Sequence, residues 1–390
     1  MNIRKPVYQS SGIGSIDALA LALGLDKRDL ISLANVASDK YHSFEIEKKD
    51  GRLRRITAPD RDLKLVQKRI NRRIFANVVY PDYLFGGIVE RDYYKNARSH
   101  SGAKALIALD VQDFYPSLKS FSVKKIFQYF CKFSPEVSEV LTKLTTLNGA
   151  VPQGACTSSH LANLVFFEGE HALVHQLQQK RIVYSRLLDD VCLSSRNALS
   201  KKQVDQSIDL VASLLKSAKC KLKSSKTSVT SASNPETLMY VTGLWINRGH
   251  PRVDSADRAS IRAEVNRCVN LGGLSRETSE YHELHNKVSG KVSKLAYIGH
   301  GESDVLRTNL RRVLPLFDGG DEFKTNQIVQ SLTRSSKETR SSLVYFERFH
   351  QAMYRVNIHF RNNHEFALDM KRALRKHWPL INREELYNGE

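Results

Sequence analysis

The chain has 390 residues, 41% of them hydrophobic, which is enough for one large domain or two to three subdomains with a real core. No apolar run approaches the roughly 18 residues of a membrane span, and no apolar segment follows the basic N-terminus, so we expect a soluble cytoplasmic protein with no membrane partner. The chain has 60 lysines and arginines against 41 acids, and this formal charge of +19 favours nucleic acid as the partner. The five cysteines lack the Cys-x-x-Cys spacing of zinc or thioredoxin-like sites.

The N-terminal quarter predicts helices around one hairpin. Residues 15–40 predict two short amphipathic helices with a break near Asp26. Residues 44–57 alternate in hydrophobicity on both sides of a Lys-Asp-Gly turn, which predicts a β-hairpin. Residues 60–77 predict a basic helix with one apolar face, formed by Leu63, Val66, Ile70 and Ile74.

The middle of the chain begins with an apolar strand that starts near Lys104 and ends at Asp110. A helix should follow, with its N-terminal cap near Ser120. Residues 157–178 predict one long buried helix.

A second pair of strands follows. Residues 181–195 predict two apolar strands that meet at Asp189 and Asp190. Residues 203–219 predict a helix, and two short strands should lie around Thr227 and Val241. From about residue 254 to the C-terminus the pattern is purely helical.

The three strand-end carboxylates are the first sign of chemistry. Asp110 ends one apolar strand, and Asp189 and Asp190 form the tip of an apolar hairpin. A carboxylate in such surroundings costs free energy unless it is paired or bound to a metal. Two Mg²⁺ ions, with Mn²⁺ as an alternative, fit hard oxygen ligands and could activate a 3′-hydroxyl and stabilise pyrophosphate. An ordinary surface Asp-Asp turn is the alternative.

Six ordered stretches resemble motifs of the reverse transcriptase family. They cover roughly residues 45–250, in the order that the family shows. The stretches are GRLRRITAPDRDLKLVQKRI (51–70), LFGG (84–87), LDVQDFYPS (109–117), VPQGACTSSHLAN (151–163), LLDD (187–190) and SSKTS with Lys226.

This resemblance implies an RNA-directed DNA polymerase with an α+β right-hand fold, in which an antiparallel palm sheet is combined with fingers, thumb and a helical C-terminal region. The corresponding boundaries place N-terminal helices and fingers in 1–104 and the palm, with finger insertions, in 105–250. A helical thumb would occupy 251–315 and a helical extension 316–390.

Two further boxes resemble the retron branch of that family. NARSH (96–100) is similar to its Asn-Ala-x-x-His box, and VTGLWIN (241–247) to its Val-Thr-Gly box. GKVSKLAYIG (290–299) resembles the thumb of the same group. Together they indicate a retron enzyme or a related defence-associated bacterial reverse transcriptase.

Residue roles follow from the resemblance alone. It implies metal binding by Asp110, Asp189 and Asp190 with the Val111 carbonyl. It gives Lys226 the role of general acid or charge stabiliser. Contacts to the incoming nucleotide are implied for Arg55, Lys64, Asp113, Phe114, Tyr115, Gln153 and Gly154.

Some of these residues have simpler explanations. Tyr115 would act as a steric gate against ribonucleotides, or it is a core aromatic. Arg55 and Lys64 could belong to a solvated face. Recognition of a structured RNA is implied for Asn96, His100 and Thr242, with local turn hydrogen bonds as the alternative.

Two features depart from the family pattern. Leu187 replaces the aromatic residue of the usual Tyr-x-Asp-Asp box, which leaves primer handling open. The 75 residues after about 315 match no motif. They could bind RNA, a partner protein or another copy of the chain, or they could cap the thumb.

The leading hypothesis is a retron-like antiviral enzyme that binds its own noncoding RNA, primes from a 2′-hydroxyl and makes DNA from dNTPs. Its partners would be that RNA, the DNA product and a separate effector protein, with homo- or hetero-oligomers left open. An abortive-infection-like polymerase with protein-primed or template-independent synthesis is the alternative. A catalytically dead RNA-binding scaffold is a third hypothesis.

Overall fold

The computed structural model describes residues 5–47, 51, 53–231 and 237–388. The chain divides into two units: the first runs to Arg252 and includes the C-terminal residues from Tyr387, and the second is Val253–Leu386. None of the helices in the described ranges is long and apolar enough to cross a membrane. The five cysteines are free thiols.

The first unit begins with a short strand, β1 (Val7–Tyr8), and two short helices, α1 (Ile16–Leu23) and α2 (Lys27–Asn35). The side chain of Asp26 accepts a hydrogen bond from the Arg28 amide and so caps α2, which confirms the predicted break at this residue.

The predicted hairpin is confirmed as β2 (Tyr41–Glu47) paired with antiparallel β3 (Leu53–Pro59). The Lys and Asp of its turn lie outside the described residues. The basic helix, α3 (Arg61–Arg73), buries the predicted apolar face and ends four residues earlier than expected. A 3-10 turn (Phe75–Asn77) and β4 (Val78–Val79) follow, and β4 pairs with β1.

A five-stranded sheet forms the centre of this unit. Its strands, in spatial order, are β5 (Leu84–Phe85), β7 (Val183–Leu187), β8 (Asp190–Ser195), β6 (Ala105–Asp110) and β9 (Ser228–Ser231). Every pair is antiparallel except β5 with β7. The predicted α+β fold with a mainly antiparallel sheet is therefore confirmed.

Helices connect these strands along the chain. They are α4 (Tyr93–Ser99), α5 (Phe114–Ser117), α6 (Ser120–Lys125), α7 (Pro135–Thr145), α8 (Ser158–Leu164), α9 (Glu170–Gln179) and α10 (Lys201–Ser217). A π-helical turn, Ile126–Phe130, follows α6. One apolar core joins α1 to the sheet and to α10, with buried residues such as Leu19, Leu63, Phe127, Leu161 and Leu193.

Two helix predictions are wrong. The segment 157–178 is two helices, because the carbonyls of Ala162 and Asn163 accept hydrogen bonds from Arg186 at the point where one continuous helix would need them. Ser120 is the first residue of α6 rather than its cap, and Lys119 at the cap position makes no side-chain capping bond.

The first unit ends with a two-stranded ribbon, β10 (Tyr240–Val241) and β11 (Leu244–Trp245). The second unit is helical throughout its described residues, as predicted. In its first part α11 (Ser255–Gly272), α12 (Ser279–Tyr297) and α13 (Ser303–Arg312) pack together.

The rest of the second unit comprises α14 (Gly319–Thr333), α15 (Lys337–Arg340), α16 (Leu343–His359), α17 (His364–Arg375) and the part of α18 (Arg383–Asn388) that ends at Leu386. Helices α14, α16 and α17 share a core of their own. Its buried residues include Val329, Leu332, Tyr345, Phe349, Val356 and Leu374.

Candidate active site

Three carboxylates meet at one end of the central sheet. Asp110 is the last residue of β6, and it pairs directly with Asp190, the first residue of β8. Asp189 lies in the turn between β7 and β8, and its carbonyl accepts a hydrogen bond from the Val111 amide (3.1 Å). The strand pairing therefore brings Asp110 together with two acids that lie about 80 residues later in the sequence.

Burial and mutual repulsion act on these acids in the same direction. Burial, then the charges of Asp189 and Asp110, raises the pKa of Asp190 to about 6. Burial is also the main reason why the pKa of Asp189 is raised. A cation would relieve both effects, because it neutralises like charges that are held away from water.

Lys226 supplies one positive charge at this place. It lies on the 3-10 turn Ser224–Lys226, and its Nζ donates to Oδ2 of Asp110 at 2.6 Å. This hydrogen bond raises the pKa of Lys226. No three His, Cys, Asp or Glu side chains within the described ranges are already arranged as a metal cluster. The donor set nevertheless fits Mg²⁺ or Mn²⁺, because all three acids offer hard oxygens.

An open cleft of about 560 Å³ lies beside the acids. It is wide enough for small molecules and is not enclosed. Its lining residues are Tyr93, Ala108, Leu109, Asp110, Leu187, Asp190, Val191, Cys192, Lys226, Tyr240, Thr242 and Gly243.

The segment after Asp110 turns sharply before α5. Asp113 is exposed and directly precedes α5. Its backbone is left-handed (φ 43°). Phe114 is buried in the core and stacks near Phe166, so its side chain cannot touch a nucleotide. Only its backbone amide could contribute to the predicted contact.

Tyr115 is half-buried near Asp189. Burial, then the charge of Asp189, raises the pKa of its hydroxyl to about 12. The ring packs against the core and is tilted relative to Phe114. The two interpretations of Tyr115 from the sequence were a core aromatic and a steric gate. The ring packs in the core, as the first requires, and lies close to the acids, as the second requires.

Gln153 and Gly154 lie against β3. The Gln153 carbonyl accepts a hydrogen bond from the Thr57 amide (2.8 Å). Gly154 has φ 128°, and a Cβ there would lie 2.8 Å from Cγ2 of Ile56 and 2.9 Å from the Thr57 carbonyl oxygen. The close approach that requires glycine is therefore to the fingers hairpin.

Arg54 of β3 was not predicted from the sequence, but its charge acts on Asp189 and Tyr115. It lowers the pKa of Asp189 and of Tyr115, against the larger effect of burial. Neighbouring residues of a strand face opposite sides, so the predicted Arg55 projects from the other face, opposite Glu45. Arg54 is therefore better placed than Arg55 to act on the acids, and a nucleotide contact by Arg55 stays a prediction. Lys64, on the first turns of α3, is exposed.

Asn96 and His100 are fully buried, so their side chains have no surface for RNA and the predicted direct contact is wrong. Ser185 Oγ donates to Asn96 Oδ1 (2.6 Å) and lies 2.6 Å from His100 Nε2, while His100 Nδ1 lies 2.7 Å from Ser194 Oγ. A hydroxyl has one proton, so Nε2 donates to Ser185. Burial lowers the pKa of His100 to about 4. The box thus supports β7 and β8 from one face.

Thr242 is half-buried and lines the cleft. Its Oγ1 donates to the Tyr93 carbonyl (2.8 Å) at the start of α4, the helix that carries Asn96. A direct hydrogen bond therefore joins the Val-Thr-Gly box to the helix that carries Asn96, which their distance in the sequence does not indicate.

The leucines of LLDD pack over the LFGG segment. A Cβ at Gly86, which has φ +83°, would lie 3.0 Å from Cγ of Leu188 and 3.2 Å from Cγ of Leu187. A Cβ at Gly87 would overlap Ser159. Gly86 thus leaves room for the tip of the β7–β8 hairpin, and Gly87 leaves room for α8. Leu187 lines the cleft.

Comparison with known proteins agrees with this geometry. The family described as reverse transcriptase (RNA-dependent DNA polymerase) matches residues 46–300. That range contains the sheet, the three acids and Lys226. The chain therefore belongs to the reverse transcriptase family: it is an RNA-directed DNA polymerase with a right-hand fold.

Two relatives indicate the branch of the reverse transcriptase family to which the chain is similar. The retron Se72 reverse transcriptase of Salmonella heidelberg is 38% identical over 317 residues, which cover 81% of this chain and 84% of the relative. The retron Ec48 reverse transcriptase of Escherichia coli is 28% identical over 370 residues, which cover 91% and 90%. The protein is accordingly a retron-type reverse transcriptase, as the sequence motifs predicted.

Among solved structures, telomerase from Candida albicans, in complex with a fragment of telomeric RNA, aligns with a TM-score of 0.38 at 11% identity. The alignment covers 88% of this chain and 66% of the telomerase chain.

Proposed function

We propose that this reverse transcriptase copies a cognate noncoding RNA into DNA by two-metal nucleotidyl transfer, as part of a retron-like antiphage system. The observation that carries the proposal is the meeting of Asp110, Asp189 and Asp190 at one end of the sheet, with Lys226 bonded to Asp110. Asp110, Asp190 and Lys226 line the cleft beside it. Membership of the reverse transcriptase family implies use of a divalent metal. We propose Mg²⁺ as that metal, with Mn²⁺ as a substitute.

The residues of the chain suggest how the work is divided. Asp110, Asp189 and Asp190 would hold the metal ions, with the Val111 carbonyl as a further oxygen donor. Bound metal would lower the pKa of the attacking hydroxyl and stabilise the leaving pyrophosphate. Lys226 would stabilise charge on the pyrophosphate or donate a proton to it.

Nucleotide selection would fall to the residues that surround the acids. Tyr115 is close enough to Asp189 for its ring to limit the space at the sugar. Arg54, whose charge reaches Asp189, is a better candidate for the triphosphate than Arg55. Asp113 is exposed beside the first strand end and remains a candidate for the same contact.

RNA recognition is supported by the charge of the chain and by the position of the β10–β11 ribbon at the cleft. The net charge of +19 favours a polyanion. Thr242 and Gly243 line the cleft, whereas the side chains of Asn96 and His100 are buried. We therefore assign the contact with RNA to the ribbon and a supporting role to the α4 box.

The test is to purify the protein from its native locus and to digest the copurifying nucleic acid separately with RNase, DNase and proteinase. The proposal expects DNA joined to a short RNA by a bond that survives proteinase. DNA that migrates with the protein until proteinase is added would instead support a protein-primed polymerase. Asp190→Asn is the control, and it should yield no DNA.

A further inference from the structure

Arg186, three residues before Asp189, is fully buried, and each of its five N–H groups has an acceptor. Nε and Nη2 donate to the two carboxylate oxygens of Glu170 (2.6 and 2.8 Å). Nη2 also donates to the Asn163 carbonyl (3.1 Å), and Nη1 to the carbonyls of Ala162 (3.0 Å) and Leu188 (3.2 Å).

These acceptors belong to three separate pieces of the fold. Ala162 and Asn163 lie in the last turn of α8, where helix carbonyls lack intrahelical partners. Glu170 is the first residue of α9, and it also accepts a hydrogen bond from the Tyr184 hydroxyl (2.7 Å). The guanidinium therefore joins the end of α8 and the start of α9 to the catalytic hairpin.

The third acceptor is the turn itself. Leu188 has φ 58°, a left-handed conformation that is strained for leucine, and it persists only where its surroundings hold it. The bond from Arg186 to the Leu188 carbonyl is such a restraint. The next residue, Asp189, is held by the Val111 amide, and Asp190 begins the pairing with β6.

A buried Arg–Glu pair could simply stabilise the core, and such pairs often add little. Two features point beyond that role. One donor is directed at the strained residue of the catalytic turn, and lysine could not replace the planar group that serves all five acceptors. A shift of about 1 Å in reacting groups can cost about 100-fold in rate.

We propose that Arg186 is a positioning residue for DNA synthesis. Its guanidinium, oriented by Glu170, holds the Leu188 carbonyl and thereby the placement of the Asp189 and Asp190 carboxylates. This inference rests on the proposed catalytic role of those two acids.

The test compares two variants with a matched control. Arg186→Lys keeps the charge but loses the planar donor set. Arg186→Gln with Glu170→Gln removes both charges, so no unpaired charge is buried and the fold should persist even if the lysine variant fails to fold. The control, Arg355→Gln with Asp321→Asn, removes another pair (2.8 Å) whose side chains are both less than one fifth exposed, on α16 and α14.

For each variant, kcat and the KM for dNTP are measured on a primed RNA template, together with Mn²⁺ binding by electron paramagnetic resonance and thermal unfolding. We expect both Arg186 variants to lose at least 10-fold in kcat, with little change in KM for dNTP, and to bind Mn²⁺ several-fold more weakly. Hydrogen exchange should rise in the peptide that contains residues 187–190. The control pair should change none of these.

If the double variant at 186 and 170 folds and keeps wild-type kcat and Mn²⁺ affinity, the proposal is overturned and Arg186 is only a core residue. Loss of stability with no loss of kcat per folded molecule would overturn it in the same way. Asp190→Asn separates this failure from that of the proposed function, because an active Asp190→Asn enzyme would refute the role of the acids themselves.

Discussion

Replacement of Asp190 by asparagine should abolish activity and yet stabilise the metal-free protein at neutral pH. Burial, then repulsion from Asp189 and Asp110, raises the pKa of this carboxyl from 3.8 to about 6. The ionised carboxylate is therefore costly in the folded state. Asparagine has nearly the same shape and carries no charge, so it removes that cost.

The magnitude follows from the pKa difference. About two pKa units at 1.36 kcal/mol each amount to up to about 3 kcal/mol at pH 7. Because the folded-state pKa is the higher one, this stability is fully present below about pH 4 and is lost as pH rises through about 6. The advantage of the variant should thus fall to roughly half at pH 5. At pH 7 the full advantage corresponds to a rise in melting temperature of roughly 4–6 °C for a protein of this size.

The assay is thermal unfolding of the wild type and of Asp190→Asn in EDTA at pH 5 and pH 7. Asp205→Asn, an exposed change on α10, is the control and should have little effect. The pH dependence of the wild type alone is not informative, since burial lowers the pKa of His100 and of His160 to about 4. Because these pKa values are lowered, both histidines make the protein less stable as pH falls, which is opposite to the effect of Asp190. Their contribution is the same in the wild type and the variant, so it cancels when the two are compared.

Added Mg²⁺ should then stabilise the wild type and leave Asp190→Asn nearly unchanged, because a bound cation compensates the carboxylates. Two results would refute the reasoning. One is an Asp190→Asn protein that is no more stable than wild type at pH 7 in EDTA. The other is an equal gain from Asp205→Asn.

Three further changes test the surroundings of the acids. Lys226→Met should lower kcat about 100-fold with a smaller effect on the KM for dNTP, because Nζ lies 2.6 Å from Asp110; steady-state kinetics with an unchanged kcat would contradict the role. Tyr115→Ala should reduce the preference for dNTP over NTP by about 10-fold or more in a competition assay, and an unchanged ratio would mean that the ring is no gate. Gly154→Ala should lower the melting temperature by several degrees, because its Cβ would meet atoms 2.8 and 2.9 Å away. Gly149→Ala, also at positive φ but with its nearest atom 4.0 Å away, should cost clearly less.

Local patterns were sufficient for most elements. Alternation on both sides of a turn predicted β2 and β3, and the apolar spacing of Leu63, Val66 and Ile70 predicted α3. Both depend on residues close together in the chain. The helix predicted over 157–178 failed for the opposite reason, since Arg186, more than 20 residues later, takes the carbonyls that would have continued it.

Faces and burial were harder to predict. The choice between Arg54 and Arg55 depends on a one-residue register, which reverses the face of every side chain in a strand. Asn96 and His100 are polar and were expected at the surface. Their partners Ser185 and Ser194 lie 85 or more residues away, and only the folded sheet brings them together.

By itself, the sequence determined the family and the three acids, because strand-end carboxylates in apolar surroundings and ordered motifs are visible along the chain. Only the tertiary structure decided how the acids are held. Arg186, Glu170 and His100 act through contacts between distant segments, and a buried charge finds its partners only when the core has formed around it.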